Sequence, residues 1–564
     1  MTIGYSVAPD RALIAAEVFQ HLKVPAEPVR EGVDYEVVVS DGTVGGTGSS
    51  ACWIVFSRRR IPLDEGLGLE VGEAAAAGTV AYRDAAEDWK LPVRTGLAGV
   101  SGLGTVLLSD ERGAAVGMSV ARDGLHVERF GFDLFAEVHA LLTDGQPEAD
   151  AEVPSLDVHV HLLRSRLREH ATLVEVPATP WGHDLVVSLS HDIDHASLAE
   201  HGFGAHWLSF MKQSTLWMIR SWVGGRTGFG DLLRSLGLAL RSPLIVPGVL
   251  PDPWRGIDAY RALEKPVGAR STYFFVPFKD RPGIALNGTN GQHRRRAVDY
   301  DLPSLAPVVR ALVGDGAEVG LHGIDAWHSV EEAVAERERM AALVGQSPDG
   351  VRMHYLYRRD DSLQILDRAG FRYDSTVGYG RQTGFRAGTL HPYRPAGAQK
   401  LLELPLHLED GGLLSPAAEN STPDEARDKI RRYLDLAARF GGCLNASWHD
   451  NSHGPPRSWG APYVFLLESA RSRGAWVTNL GDVAEWFSRR RELRLRVLRS
   501  DEHGVSVDVD LPDGWPERLP GFRLRVHLPL EGCSAADPPY LDFPLQPGVN
   551  EIRFEPGNVA AHRS

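Results

Sequence analysis

The spacing of apolar residues changes character twice along the chain. Over residues 1–150, short strand-like runs such as "DYEVVVSDG", "CWIVFSR" and "GTVLLSD" mix with the helix-like "DRALIAAEVFQHL" and the apolar "FGFDLFAEVHALL". This predicts a small N-terminal α/β domain without recognisable chemistry. The acidic, Pro-containing "DGQPEADAEVPS" follows as a linker. Over residues 180–490 the pattern turns regular. The runs "DLVVSLS", "ARSTYFFVPF", "GAEVGLH", "GVRMHY", "FRYDST", "LLELPLH", "GCLNASWH" and "AWVTNL" have strand character, and segments such as "LPSLAPVVRALVGDG" and "SVEEAVAERERMAALVG" between them have helical period. Strand and helix in alternation, with short connections, predict an α/β chain whose central domain is a closed (β/α) barrel. Beyond Arg491, "LRLRVL", "VSVDVDL" and "FRLRVHLPL" alternate strictly with period two, which predicts a C-terminal all-β appendage over 491–564.

One long insertion, residues 204–250, separates the first two barrel strands. Between 204 and 248 it sets Lys212, Arg220, Arg226, Arg234 and Arg241 against the single acid Asp231, among Trp207, Trp217, Trp222 and several Leu. Such a segment suits either a lid over the barrel mouth or a peripheral contact with a membrane surface. The whole chain of 564 residues carries a net charge of −14, which argues against nucleic acid as a partner. Cys52, Cys443 and Cys533 lie far apart without CxxC spacing, so inert thiols are expected rather than a disulfide framework or a thiolate metal site. The first residues lack a basic stretch followed by a long apolar one, and the chain is expected to be cytoplasmic.

Chemistry concentrates where strand-like runs end. In a barrel these ends converge, bringing together Asp192 and Asp194 of "SHDIDH", His322 and His328 of "GLHGIDAWHS", Arg352 to Tyr355 of "RMHY", Asp374 of "YDST" and His449 of "SWHD". One carboxylate and two imidazoles suffice to hold a divalent ion with positions left open, and a second carboxylate is then placed to act as a base.

In these motifs the chain resembles the NodB-homology polysaccharide deacetylases, carbohydrate esterases with a distorted (β/α) barrel, over about residues 183–490. "SHDID" is similar to the Asp-x-Asp variant of the family's first motif. The resemblance implies Asp192 as general base, Asp194 and His322 as metal ligands, and a divalent metal, zinc by its donor set. The family's second metal histidine falls four residues after His322, where this chain has Ala326. A loop two residues longer makes His328 the expected third ligand, with Asp325 as the alternative. The resemblance further implies that Arg352 orients the base, that a backbone N–H near Tyr355 helps hold the oxyanion, and that His449, oriented by Asp374, is the general acid. The implied activity is metal-dependent removal of an N-acyl group, by default N-acetyl, from a sugar in a polysaccharide, an oligosaccharide or a lipid-linked glycan. "GLHGID" also resembles deformylases of lipid-linked aminosugars, and the apolar, basic insertion suits such a carrier at the inner face of the membrane.

Rival readings start from other features. A barrel with a displaced ligand can be a glycan-binding domain without catalysis. "SLDVHVHLL" matches the D-x-H-x-H signature of amidohydrolases, but Leu156, Val160, Leu163 and Leu167 share one helical face, so His159 and His161 are expected on a surface or linker helix. Two histidines and a carboxylate also make the facial triad of non-haem iron oxygenases, which alternating strands and helices disfavour.

Overall fold

A strand covered on both faces needs apolar residues at nearly every position, and Leu185–Ile193 is such a strand, buried along its whole length. It belongs to a computed structural model that describes residues 3–43, 50–83, 87–252, 256–286, 296–501, 504–512, 514–527 and 540–553. These cluster into two compact units, one within Met1–Gly182, Ala387–Thr389 and Trp486–Ser564, the other within His183–Arg386 and Leu390–Glu485. The stretches expected as N-terminal and C-terminal domains thus fall in the same unit.

The second unit is built on a parallel sheet of nine strands. In chain order they are the first (Leu185–Ile193), second (Ser271–Phe275), third (Glu318–Gly323), fourth (Gly350–Met353), fifth (Tyr373–Asp374), sixth (Leu402–Glu403), seventh (Leu408–Glu409), eighth (Leu444–Ser447) and ninth (Ala475–Thr478). In space the order runs from the sixth down to the first, then the eighth and the seventh, with the ninth alongside Leu185–Ser188 of the first. Helices of the expected period lie between strands, among them Ala306–Gly314, Val330–Val344 and Pro423–Phe440. The last of these opens on a capping box of Thr422 and Glu425.

The expected closed barrel is a curled sheet. "LLELPLH", residues 401–407 and expected as one strand, pairs only over Leu402–Glu403; a second short strand, Leu408–Glu409, starts just past it and lies at the opposite end of the sheet order. Pro405 has no N–H to give to a ladder, so pairing stops at this point of the chain. The intervening residues still reach both sides: Leu404 N–H donates to the Asp374 carbonyl (2.8 Å) and His407 N–H to the Asn445 carbonyl (3.1 Å). One stretch of chain therefore spans the gap between the two edges, and the strand ends face a common centre.

The insertion folds into the helices Ala205–Lys212, Met218–Val223 and Phe229–Ile245, the first two joined by a wider-wound turn, Gln213–Trp217. Leu198, Phe210, Leu238 and Ile245 form its core, with Trp207 packed against them and donating from its indole N–H to Ser242 (3.1 Å). Trp217 and Trp222 are exposed.

In the first unit a nine-stranded sheet begins with the parallel strands Ala26–Pro28, Ile3–Ser6, Tyr35–Ser40, Ser50–Phe56 and Leu125–Phe130 and continues antiparallel. The C-terminal strands form two three-stranded sheets, and Val174–Glu175 completes one of them against Arg523–His527. The period-two pattern is realised there: Leu524 and Val526 are buried, while Arg523 and Arg525 pair with Asp542. The D-x-H-x-H motif lies on the helix Ser155–His170, as its period predicts, but His159 is fully buried rather than at the surface. Cys52 and Cys443 are buried, and burial pushes both thiols up to about 12; Cys533 lies outside the described residues. Among the described residues no helix is long and apolar enough to cross a membrane.

Candidate active site

Charged side chains crowd together at a barrel mouth only when each is compensated, so the partners of each define the site. Asp192 and Asp194 stand at the end of the first strand. His191 between the strand and these acids is a brace, held at both ring nitrogens by the Trp448 carbonyl and Glu264, each at 2.8 Å. Tyr300 fixes the same turn, its hydroxyl donating to the Ile193 carbonyl (2.8 Å) and accepting Val276 N–H (2.7 Å).

Arg352, on the fourth strand and fully buried, aims at Asp192. Its Nη1 donates to Asp192 Oδ1 (2.9 Å), Ser190 Oγ (2.7 Å) and Ser447 Oγ (3.0 Å), and its other nitrogens to the Ser375 carbonyl and hydroxyl. Burial works to raise the Asp192 carboxyl, but the Arg352 charge with the His322 and His449 imidazoles outweighs it and holds the group below the usual carboxylate range. Asp192 is thus an ionised carboxylate in a fixed orientation.

Asp194 meets two imidazoles. Its Oδ1 lies 3.5 Å from His322 Nε2 and 3.3 Å from His354 Nε2, and the three residues can direct one ligand atom each to a common point. Asp194 Oδ1 is buried and, among the described residues, takes no regular hydrogen bond. His322 is oriented by its Nδ1, which donates to the Arg352 carbonyl (3.0 Å) and leaves Nε2 facing the acids. Burial lowers both imidazoles; the carboxylates of Asp192 and Asp194 outweigh it at His322 but not at His354. An orphaned carboxylate oxygen with two imidazole nitrogens at ligand-to-ligand spacing fits a divalent ion of the zinc class.

The structure thus brings His354, not His328, to Asp194 and His322. The loop after the third strand is tied down by Glu336, which accepts Ile324 N–H (2.9 Å) and Asp325 N–H (2.7 Å). His328 N–H turns back to the Asp325 carbonyl (2.8 Å), and its ring lies edge-on to Trp327. The alternative, Asp325, is engaged by Ile284 N–H (2.7 Å) and Arg281 (3.0 Å). His354 directly follows the fourth strand, and the chain turns sharply after it: Tyr355, at φ 62° and ψ 19°, and Leu356 adopt the left-handed region. That conformation is costly for a bulky side chain and recurs at functional sites. The Tyr355 ring is half exposed and lies against His354.

His449 closes the other side. Its Nδ1 is 2.6 Å from Asp410 Oδ1, its backbone N–H donates to Asp410 Oδ2 (3.0 Å), and its Nε2 points inward, 3.9 Å from Asp194 Oδ2 and 3.7 Å from Glu409 Oε1. Burial would lower this imidazole, yet Asp410, with Asp194 and Glu409 beyond it, holds it well above its ordinary value. Asp374, expected as its orienting acid, instead binds Thr376 N–H (3.0 Å) and hydroxyl (2.6 Å) beside Glu403. The reason is position: Asp374 ends a two-residue strand whose neighbour in the sheet is the sixth, whereas Asp410 directly follows the seventh, which pairs with the strand leading to His449. Two more carboxyls border the site, Glu409 and Asp450, both pushed up to about 7, the first by burial and the second by burial and the Asp194 charge.

No family model matches the chain, and no curated protein matches it. Among solved structures, it is similar to a Mycobacterium smegmatis protein named as a polysaccharide deacetylase, at 19% identity and a TM-score of 0.35, over 58% of this chain and 99% of that one. It is also similar to Puue allantoinase, at 17% identity and a TM-score of 0.34 over 55% and 92% of the two chains. A family 4 carbohydrate esterase from Streptomyces lividans follows at 11% identity and a TM-score of 0.24, over 52% and 91%. The chemistry assigned below stands on the side chains of this chain.

Two outcomes follow from the geometry. His354→Ala should abolish stoichiometric binding of zinc at this site while His328→Ala leaves it intact; plasma mass spectrometry of the two purified variants reads the difference, and the reverse result excludes His354 as a ligand. Asp410→Asn keeps the shape but frees the His449 tautomer, and should lower turnover by about two to four orders of magnitude with metal content unchanged. Asp374→Asn should not reproduce that pattern.

Proposed function

We propose that this chain is a metal-dependent hydrolase that removes an N-acyl group from an aminosugar. The observation that supports the reading is one arrangement: an oriented carboxylate, Asp192, and an imidazole of raised proton affinity, His449, both border the Asp194, His322 and His354 cluster, Asp192 Oδ2 3.9 Å from His322 Nε2 and His449 Nε2 3.9 Å from Asp194 Oδ2. Amide hydrolysis needs a base for the attacking water and an acid for the departing amine. A divalent cation held by the cluster supplies Lewis acidity to water and to the scissile carbonyl. Asp192, fixed by Arg352, takes the proton of the attacking water. His449, kept charged by Asp410, gives its Nε2 proton to the amine nitrogen as the C–N bond breaks. A backbone N–H near Tyr355 would help hold the oxyanion.

For the substrate class, the surface of the insertion supports a lipid-linked sugar. Leu216, Trp217, Ile219, Trp222, Val223 and Leu240 are exposed, Val223 at 75% and Leu240 at 82%. Lys212, Arg220, Arg226, Arg234 and Arg241 are exposed among them. Apolar side chains interleaved with cations bind anionic bilayers by insertion and charge attraction together.

Activity is tested by acetate and formate release from N-acylated oligosaccharides and from lipid-linked aminosugars. Release that depends on added metal supports the hydrolase, and no release from any of them sinks it. Asp192→Asn should cost about two to four orders of magnitude in turnover with metal retained, whereas Asp194→Asn should lose the metal. Equal metal loss in both would remove the division between base and ligand. In flotation with anionic vesicles, the wild-type chain should rise at low salt, and a variant carrying Arg220→Glu and Arg226→Glu should remain in the dense fraction. Failure of the wild type to float at any salt concentration points to a soluble glycan.

A further inference from the structure

A second group of metal-ligating side chains lies outside the site described above, on the segment that leads into the insertion. His201 ends the short turn Ala199–His201, and His206 stands at the start of the helix Ala205–Lys212. Both aim Nδ1 at one oxygen, Asp299 Oδ2, at 2.5 Å and 2.6 Å. The three residues offer ligand atoms that all lie within 4.8 Å of one another. A third imidazole joins them: the His195 ring centroid is 5.0 Å from that of His201 and 5.9 Å from that of His206, and the His201 and His206 rings are themselves 5.0 Å apart. From these positions we infer that His201, His206 and Asp299, with His195 as the fourth donor, form a second divalent-cation site of the zinc class.

The donor chemistry favours a metal over a hydrogen-bonded cluster alone. One carboxylate compensates one imidazolium, yet two imidazoles share this carboxylate with a third ring packed against them, and neutral imidazole is what a divalent ion binds. Three nitrogens and one oxygen are a closed tetrahedral set, with ligand atoms about 3.3 Å apart at ordinary bond lengths. Modest rearrangement of the rings reaches that spacing. Access is available: the His201 side chain is 2% exposed, whereas His206 and Asp299 are 33% and 26% exposed, so a hydrated ion can arrive from solvent on one side and be held against a buried ligand on the other.

The placement gives the site its use. Asp299 precedes Tyr300, whose hydroxyl braces the turn carrying Asp192 and Asp194. His195 directly follows Asp194, and its backbone N–H donates to Asp450 Oδ2 (3.1 Å). His201 and His206 belong to the segment from which the insertion's helices grow. A cation held by all four fastens the root of the insertion to the floor of the active site. Its role is structural, since a site with four protein ligands leaves no position for substrate.

The test counts metal in the full chain. Stripped protein is reloaded with Zn2+, passed through gel filtration and analysed by plasma mass spectrometry. His206→Gln and Asp299→Asn, each at a partly exposed position, should lose about one equivalent relative to wild type, while His322→Ala, which disables the first site, should keep the equivalent held by the second. Cobalt(II) substitution in the His322→Ala background should give the intense visible absorption of a tetrahedral site, and adding His206→Gln should remove it. The second site is overturned if both His206→Gln and Asp299→Asn bind as much zinc as wild type, or if the cobalt spectrum survives His206→Gln. Loss of zinc only in His322→Ala and His354→Ala would leave the hydrolytic site standing and the second one refuted.

Discussion

A guanidinium with no exposure to water holds the parallel-sheet unit of this molecule together. Arg352 touches the first strand at Ser190 and Asp192, the eighth at Ser447 and the segment after the fifth at Ser375, and its charge lies over the Phe274 ring of the second. A buried cation of this kind is tolerated only with its hydrogen bonds satisfied and a counter-charge beside it. Asp192 is that counter-charge, so the carboxylate proposed as the base is also the one that makes the arginine affordable. The proposed chemistry and the fold lean on the same ion pair, and neither partner can change without stranding the other.

The orientation of the remaining groups follows a common device, in which one ring nitrogen of a histidine is spent on the protein so that the other faces the centre. His322 gives Nδ1 to the Arg352 carbonyl, and His449 gives Nδ1 to Asp410. These second contacts select the tautomer. The result is an asymmetric mouth, with a carboxylate of lowered affinity for protons on one side and an imidazole of raised affinity on the other. Such a separation assigns acid and base without further machinery.

Much of this was legible in the chain itself, because strand ends are where apolar runs break into charge. Asp192, Asp194, His322, Arg352 and His449 could each be picked out this way, and in the period-two run of residues 523–526 the buried Leu524 and Val526 alternate with two arginines paired with Asp542. What was not legible depended on turns. His354 sits two residues after Arg352 in "RMHY", but nothing in four letters announces that its ring faces Asp194 or that the next two residues take left-handed conformations. Spacing after His322 pointed to His328, and the deciding contacts came instead from Glu336 on a following helix. Asp410 was missed because the strand reading stopped at "LLELPLH", whereas pairing breaks off near Pro405 and resumes at Leu408–Glu409 on the opposite edge of the sheet, just before Asp410. The signal was present as two acids at a strand end, but their destination depended on sheet order, which local pattern does not encode.

That divided stretch has a consequence for how the site comes into being. Leu402–Glu403 belongs to one edge and Leu408–Glu409 to the other, so the residues between them are the seam of the ring. Glu409 and Asp410 lie immediately past the seam, while Asp192, Asp194, His322 and His354 come from strands that pair without it. A chain whose seam has parted would keep Asp192, Asp194, His322 and His354 in register but lose the Asp410 carboxylate that raises His449. Opening at this one place would separate the proposed acid from an otherwise intact cluster, so the proton affinity of His449 is tied to the pairing of a two-residue strand.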